Sequence, residues 1–182
     1  RLVRDPRDLA IGNVNAPQQL VLTGRKDHVL RALDHLSRSA LKAEALPLGW
    51  PMHSPALEPV TDELASFVAR NARRTWPGRA TLYAPMLGRE VRSEDEALQV
   101  LGRQISRPSR WSDVLGAMAA AGETRFSEVG PGDVLSRMHR WTLRHSKAEV
   151  LEDPAGIARF ASDLGELAGG AGAGAAQKEE TS

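Results

Sequence analysis

Leu9-Ala10-Ile11-Gly12-Asn13-Val14-Asn15-Ala16-Pro17-Gln18-Gln19-Leu20-Val21-Leu22-Thr23-Gly24 reads as two short strands joined by a turn at Ala16-Pro17. The first runs from Leu9 to Asn15 and the second from Gln19 to Gly24, with apolar and β-branched side chains in both. The period then changes: Val29, Leu30, Leu33 and Leu36 recur at helical spacing between Lys26 and Ser39. Lys42-Ala43-Glu44-Ala45-Leu46-Pro47-Leu48 alternates again and is expected to form a third strand. Strand, strand, helix, strand is most of a ferredoxin-like split βαβ lobe, short of one strand and one helix.

Further along, Pro55 to Ala72 carries Leu57, Val60, Leu64, Phe67 and Val68 and is expected as an amphipathic helix. Ala80 to Ala84 reads as a strand, and Ser93 caps an acid-rich helix from Glu94 to Ile105. Trp111 to Ala121 gives a further helix, Thr124 to Val129 a strand that breaks at Gly130-Pro131-Gly132, and Asp133 to Leu143 a helix. Ala148 to Leu151 is a last strand, and Pro154 opens a helix at its tolerated first position. Strands alternating with helices predict an α/β class with a parallel sheet. The Gly/Ala-rich stretch within residues 168–182 is low in complexity and is expected to be a disordered tail.

A chain of 182 residues can build one good core. Its 24 basic and 23 acidic side chains nearly cancel, which gives no bias toward nucleic acid. Cysteine is absent, excluding disulfides, thiolate metal sites and cysteine nucleophiles, and fitting a cytoplasmic protein. No apolar stretch approaches the roughly 20 residues that span a bilayer. The first residue is Arg1, with no signal-peptide architecture, so the chain is expected to start inside something larger.

The residue of greatest chemical interest is His53, in Gly49-Trp50-Pro51-Met52-His53-Ser54-Pro55-Ala56-Leu57. With Asn13 to Gly24, Arg103-Gln104-Ile105-Ser106-Arg107-Pro108-Ser109-Arg110-Trp111, Phe126 to Leu135 and Leu151 to Ala155, it makes five patches in order. Together they resemble the malonyl-CoA:acyl carrier protein transacylase family over about residues 8 to 166, in the portion that follows the nucleophile. The resemblance implies part of an α/β-hydrolase-like acyltransferase core, residues 49–167, with an incomplete ferredoxin-like small subdomain, residues 1–48. It also implies ping-pong transfer of a malonyl group from coenzyme A to the phosphopantetheine thiol of an acyl carrier protein. The coenzyme A thioester is substrate, and no bound cofactor is expected.

By the same resemblance His53 is the general base that activates a serine, and the Gln104 backbone carbonyl orients its ring. Asn15 neighbours the pocket, and Trp50 and Met52 set acyl specificity. The family's serine sits in a Gly-x-Ser-x-Gly turn, which occurs nowhere in this sequence. The chain is therefore expected to need an upstream serine-bearing part, and to be inactive and poorly soluble alone because that part would cover a sheet edge. Two other functions remain: a carrier-protein-binding fragment without chemistry, or the malonyl-transferring subunit of a malonate decarboxylase system.

Several signals have plainer readings. Trp50 and Met52 would as readily pack the core, Gln104 would as readily be solvated, and Asn15 would as readily serve the turn. Gly130-Pro131-Gly132 before a helix could hold an anion, although a tight strand-to-helix turn is the simpler expectation. His28 and His35 are seven apart and His139 and His145 six apart, not the i, i+4 spacing of a helical zinc site, so no metal is assigned. Arg103, Arg107 and Arg110 form one basic cluster and Arg137, Arg140, Arg144 and His145 another. Either suits an acidic carrier protein or is simply a solvated face.

Overall fold

The computed structural model describes residues 5–73 and 80–163, so the expected tail at residues 168–182 lies outside them. Strands β1 (Leu9–Ala16) and β2 (Gln19–Gly24) pair antiparallel, with Leu9 opposite Gly24 and Ala16 opposite Gln19. The ladder shifts register between Ile11 and Asn13, leaving Gly12 as a bulge. A Cβ on Gly12 would lie 2.8 Å from Thr23 Cγ2 and 3.2 Å from the Met52 carbonyl oxygen. The bare backbone therefore lets the loop carrying Met52 come directly against β1.

Helix α1 (Lys26–Leu36) follows. The third strand expected over residues 42–48 does not form. These residues enter no ladder, and Leu46 and Leu48 are exposed. Alternation alone cannot make a strand: the backbone groups need a neighbour to pair with, and Pro47 lacks a donor. The third strand of this sheet is instead β5 (Ser109–Arg110), parallel to β1 with Asn13 opposite Ser109 and Val14 opposite Arg110. The sheet order is β2-β1-β5.

Beyond the His53 loop, a short 3-10 turn (Pro55–Leu57) leads into α2 (Glu58–Asn71). The strand expected at Ala80 to Ala84 shrinks to β3 (Tyr83–Ala84), paired antiparallel with β4 (Arg89–Glu90). Under this hairpin Ala84, Val91 and Val100 form a small buried cluster with Met86, Leu87 and Ala97 packed on it. Helix α3 (Glu94–Arg103) is capped by Ser93, whose Oγ accepts from the Glu96 N–H at 3.2 Å. It ends in a second 3-10 turn, Gln104–Ser106.

Helix α4 (Trp111–Ala120) buries Val114 and Leu115 and lies against β1. Strands β6 (Arg125–Val129) and β7 (Lys147–Leu151) pair in parallel, five residues in register, with α5 (Val134–Thr142) as the crossover. Residues 154–163 are helical. The class is thus α/β, as the alternation of elements predicts, and α5 also touches β1, which ties the two ends of the described chain together.

Candidate functional site

Ser54 and Ser106 are both fully buried, and they bracket the place where the His53 loop meets the Gln104–Ser106 turn. Ser54 caps the Pro55–Leu57 turn by accepting from the Ala56 N–H at 3.2 Å, with Pro55 at the first position, so the chain direction just after His53 is fixed. On the other side the Ser106 hydroxyl donates to the Arg103 carbonyl at 3.2 Å and closes its turn. Arg107 then extends (φ −117, ψ 146), as a residue before proline must.

His53 sits between these turns with φ +59, the only non-glycine residue with positive φ among those described. A left-handed backbone at a histidine is strained, on the order of 1–3 kcal/mol, and persists where its surroundings hold it. Three carbonyls do so here. The His53 N–H donates to the Ile105 carbonyl at 2.8 Å. The ring Nδ1 lies 2.8 Å from the Gln104 carbonyl oxygen and 3.2 Å from that of Arg107. Carbonyl oxygens only accept, so Nδ1 carries the hydrogen in these contacts. In the neutral ring Nε2 is then left with its lone pair, ready to take a proton. No carboxylate hydrogen-bonds His53 among the described residues.

Gln104 contributes its backbone, and its side chain is exposed. Asn15 is buried near the end of β1, one residue past the Val14–Arg110 pair, and no hydrogen bond links it to His53 among the described residues. Trp50 is 75% exposed and Met52 42%, so neither packs in the core. The residues that sequence reasoning passed over are Ile105 and Arg107, because they act through backbone carbonyls that no side-chain pattern announces. The proline after Arg107 was the one available signal.

The remaining candidates resolve structurally. The start of α5 is filled from within: Glu128 accepts from Leu135 N–H at 3.0 Å and Ser136 N–H at 2.8 Å, and Glu152 from Gly132 N–H at 2.9 Å. The Gly130-Pro131-Gly132 segment is therefore a strand-to-helix turn closed by carboxylates rather than an anion cradle. His139 is a core residue, its Nε2 2.8 Å from Ser146 Oγ and its ring centroid 4.6 Å from that of Phe126, and burial pulls its pKa down. Among the described residues no group of three or more potential metal ligands converges. No helix among them is long and apolar enough to cross a membrane.

The first basic cluster is internally paired: Arg103 with Asp62 at 3.9 Å, Arg107 with Glu58 at 3.1 Å and Arg110 with Asp113 at 3.8 Å. In the second, Arg137 pairs with Asp133 at 3.3 Å, while Arg140 and Arg144 are exposed with no acidic partner among the described residues.

No family model matches the chain. It is 30% identical over 153 residues to a malonyl CoA-acyl carrier protein transacylase of Salmonella typhimurium, covering 80% of this chain and 47% of that protein. Among solved structures it is similar to the malonyl-CoA:acyl carrier protein transacylase of Xanthomonas oryzae, with a TM-score of 0.77 and 28% identity over 84% of this chain and 48% of that one. A second similar structure is that of a type II PKS acyl-carrier protein in complex with its malonyl-transacylase, with a TM-score of 0.76 and 25% identity. That match covers 82% of this chain and 48% of that one. The chain thus spans about half the length of the transacylases it matches. Over that half, the chain is similar in both sequence and fold to malonyl-CoA:acyl carrier protein transacylases.

Proposed function

We propose that this chain supplies the general base of a malonyl transfer from a coenzyme A thioester to the thiol of an acyl carrier protein. The observation that carries the reading is the His53 ring, held by Nδ1 on the Gln104 carbonyl at 2.8 Å with Nε2 left as the basic nitrogen. In this reading Nε2 takes the proton of a serine hydroxyl as it attacks the thioester, and the imidazolium keeps its Nδ1–H on the carbonyl. The proton then passes to the departing coenzyme A thiolate, and the same cycle run backwards loads the carrier thiol.

The serine and its oxyanion donors would come from a separate or upstream part with the Gly-x-Ser-x-Gly turn absent from this sequence. Two features support a missing cover. Parallel strands are ordinarily buried on both faces, yet among the described residues β6 and β7 form a sheet of only two strands, with Val129 79% exposed. Phe67 on α2 and Trp141 on α5 are also more than half exposed. Residues 1–48 then belong to an incomplete small subdomain and residues 49–167 to the large one, joined through the β1–β5 ladder.

Trp50 and Met52 shape the acyl pocket in this reading, and Asn15 lines it from β1. Arg140 and Arg144, which have no acidic partner among the described residues, offer the acidic carrier protein its docking charge, because the other basic cluster is already paired with carboxylates. The coenzyme A thioester is a substrate rather than a resident cofactor, and the chain works in the cytoplasm.

The test is native purification from the source, with intact-mass analysis and peptide sequencing of whatever accompanies the chain, followed by a malonyl-transfer assay. A companion bearing Gly-x-Ser-x-Gly, and transfer to carrier protein, are expected. A lone chain that binds carrier protein without loading it would instead make this a binding module. Loading followed by carbon dioxide release would place it in malonate decarboxylation.

A further inference from the structure

We infer that Arg107 is a positioning residue for His53, acting through its backbone carbonyl and through an ion pair between its side chain and Glu58. The inference rests on His53 as the base and adds a second support to its ring. Gln104 supplies one carbonyl at 2.8 Å, and Arg107 supplies another at 3.2 Å to the same Nδ1. Where the Arg107 carbonyl points is set by ψ 146, which Pro108 enforces by excluding the helical alternative.

The other end of Arg107 closes the arrangement. Its Nη1 lies 3.1 Å from Glu58 Oε1, and Glu58 opens α2 only five residues after His53. The ion pair therefore ties the turn that carries the carbonyls to the helix that leaves the histidine loop. One face of α2 repeats the device: Asp62 reaches Arg103 at 3.9 Å, and Ala65 packs on Gly102. Among the described residues, however, only Arg107 has both its guanidinium on α2 and its carbonyl on the ring. A loosened Arg107 leaves Nδ1 with the single Gln104 acceptor and frees the ring to exchange its hydrogen to Nε2, the tautomer that cannot act as base toward a serine.

The experiment is nitrogen-15 NMR of the His53 ring in the full chain at a pH where the ring is neutral, reading the ratio of the Nδ1–H to the Nε2–H tautomer. Arg107→Ala and Glu58→Gln should each lower that ratio by roughly two- to fivefold, the range open to a half-exposed ion pair. The double variant should fall no further than either single one, because both remove the same interaction. Arg107→Lys should restore most of the ratio. Asp62→Asn, which loosens α2 through the neighbouring pair, should leave it unchanged. An unchanged ratio in both single variants overturns the inference, and so does an equal fall in Asp62→Asn. The readout does not depend on acyl transfer, so its failure and the failure of the proposed function are separate results.

Discussion

Gly102 of α3 lies so close to Ala65 of α2 that a Cβ on the glycine would sit 2.8 Å from the Ala65 Cα. The turn that holds His53 begins two residues later, so this helix contact sets where the carbonyls of Gln104, Ile105 and Arg107 stand. Gly102→Ala should destabilise the chain by about 1–2 kcal/mol, the overpacking cost less alanine's gain in helix propensity. Gly116 in α4 has open space around its Cβ direction, and Gly116→Ala should stabilise by about 0.5–1 kcal/mol. Denaturant midpoints of the two variants should thus move in opposite directions.

The φ of +59 at His53 gives a second stability prediction. His53→Ala and His53→Gly lose the same ring hydrogen bonds, but only glycine accepts the left-handed backbone without strain. His53→Gly should be more stable than His53→Ala by about 1 kcal/mol, after allowing for glycine's freedom in the unfolded chain. Equal midpoints would show that the loop relaxes to negative φ once the ring is gone.

The sequence reveals the long elements and hides the short ones. Gln19–Gly24 and the start of α3 at Glu94 have the bounds expected, because a turn proline and a capping serine mark them chemically. Strands β4 and β5 are two residues each, too short for any period to show. Residues 42–48 have the period of a strand but no neighbour, and pairing is a tertiary fact. The His53 loop is visible from its prolines. Its contact with Gln104, 51 residues away and made to a backbone carbonyl, has no signature in spacing or side-chain type. Gly102 did leave one, an isolated glycine inside a helical pattern.

Acid sensitivity should centre on Glu96. The Arg89 guanidinium, 2.6 and 3.1 Å away, and then the Arg92 N–H at 2.7 Å hold its pKa down from the ordinary 4.5 to about 2. A depressed carboxylate pKa means stability that is complete above the unfolded value and lost as pH falls through the folded one. The difference in unfolding midpoint between the natural chain and Glu96→Gln should be constant above about pH 5 and close toward pH 2. A difference that grows on acidification would contradict the assignment.

Glu128 is the internal cap of α5. Burial works to raise its pKa, but the N–H groups of Leu135 and Ser136 outweigh that and keep it below the ordinary value. Glu128→Ala should cost about 1 kcal/mol, the usual loss for a helix N-terminal acceptor. Amide exchange should quicken first at Leu135 and Ser136, the two hydrogens that lose their acceptor.

If His53 is the base of a malonyl transfer, as proposed, single-turnover transfer by an assembly that contains both this chain and a Gly-x-Ser-x-Gly part should depend on its ring. The mass of the carrier protein reports the arrival of one malonyl group. His53→Ala should slow that arrival by roughly 10²–10⁴-fold while the assembly and its carrier-protein binding persist. Loading at an undiminished rate in His53→Ala would show that the proton is taken elsewhere and that His53 is not the base.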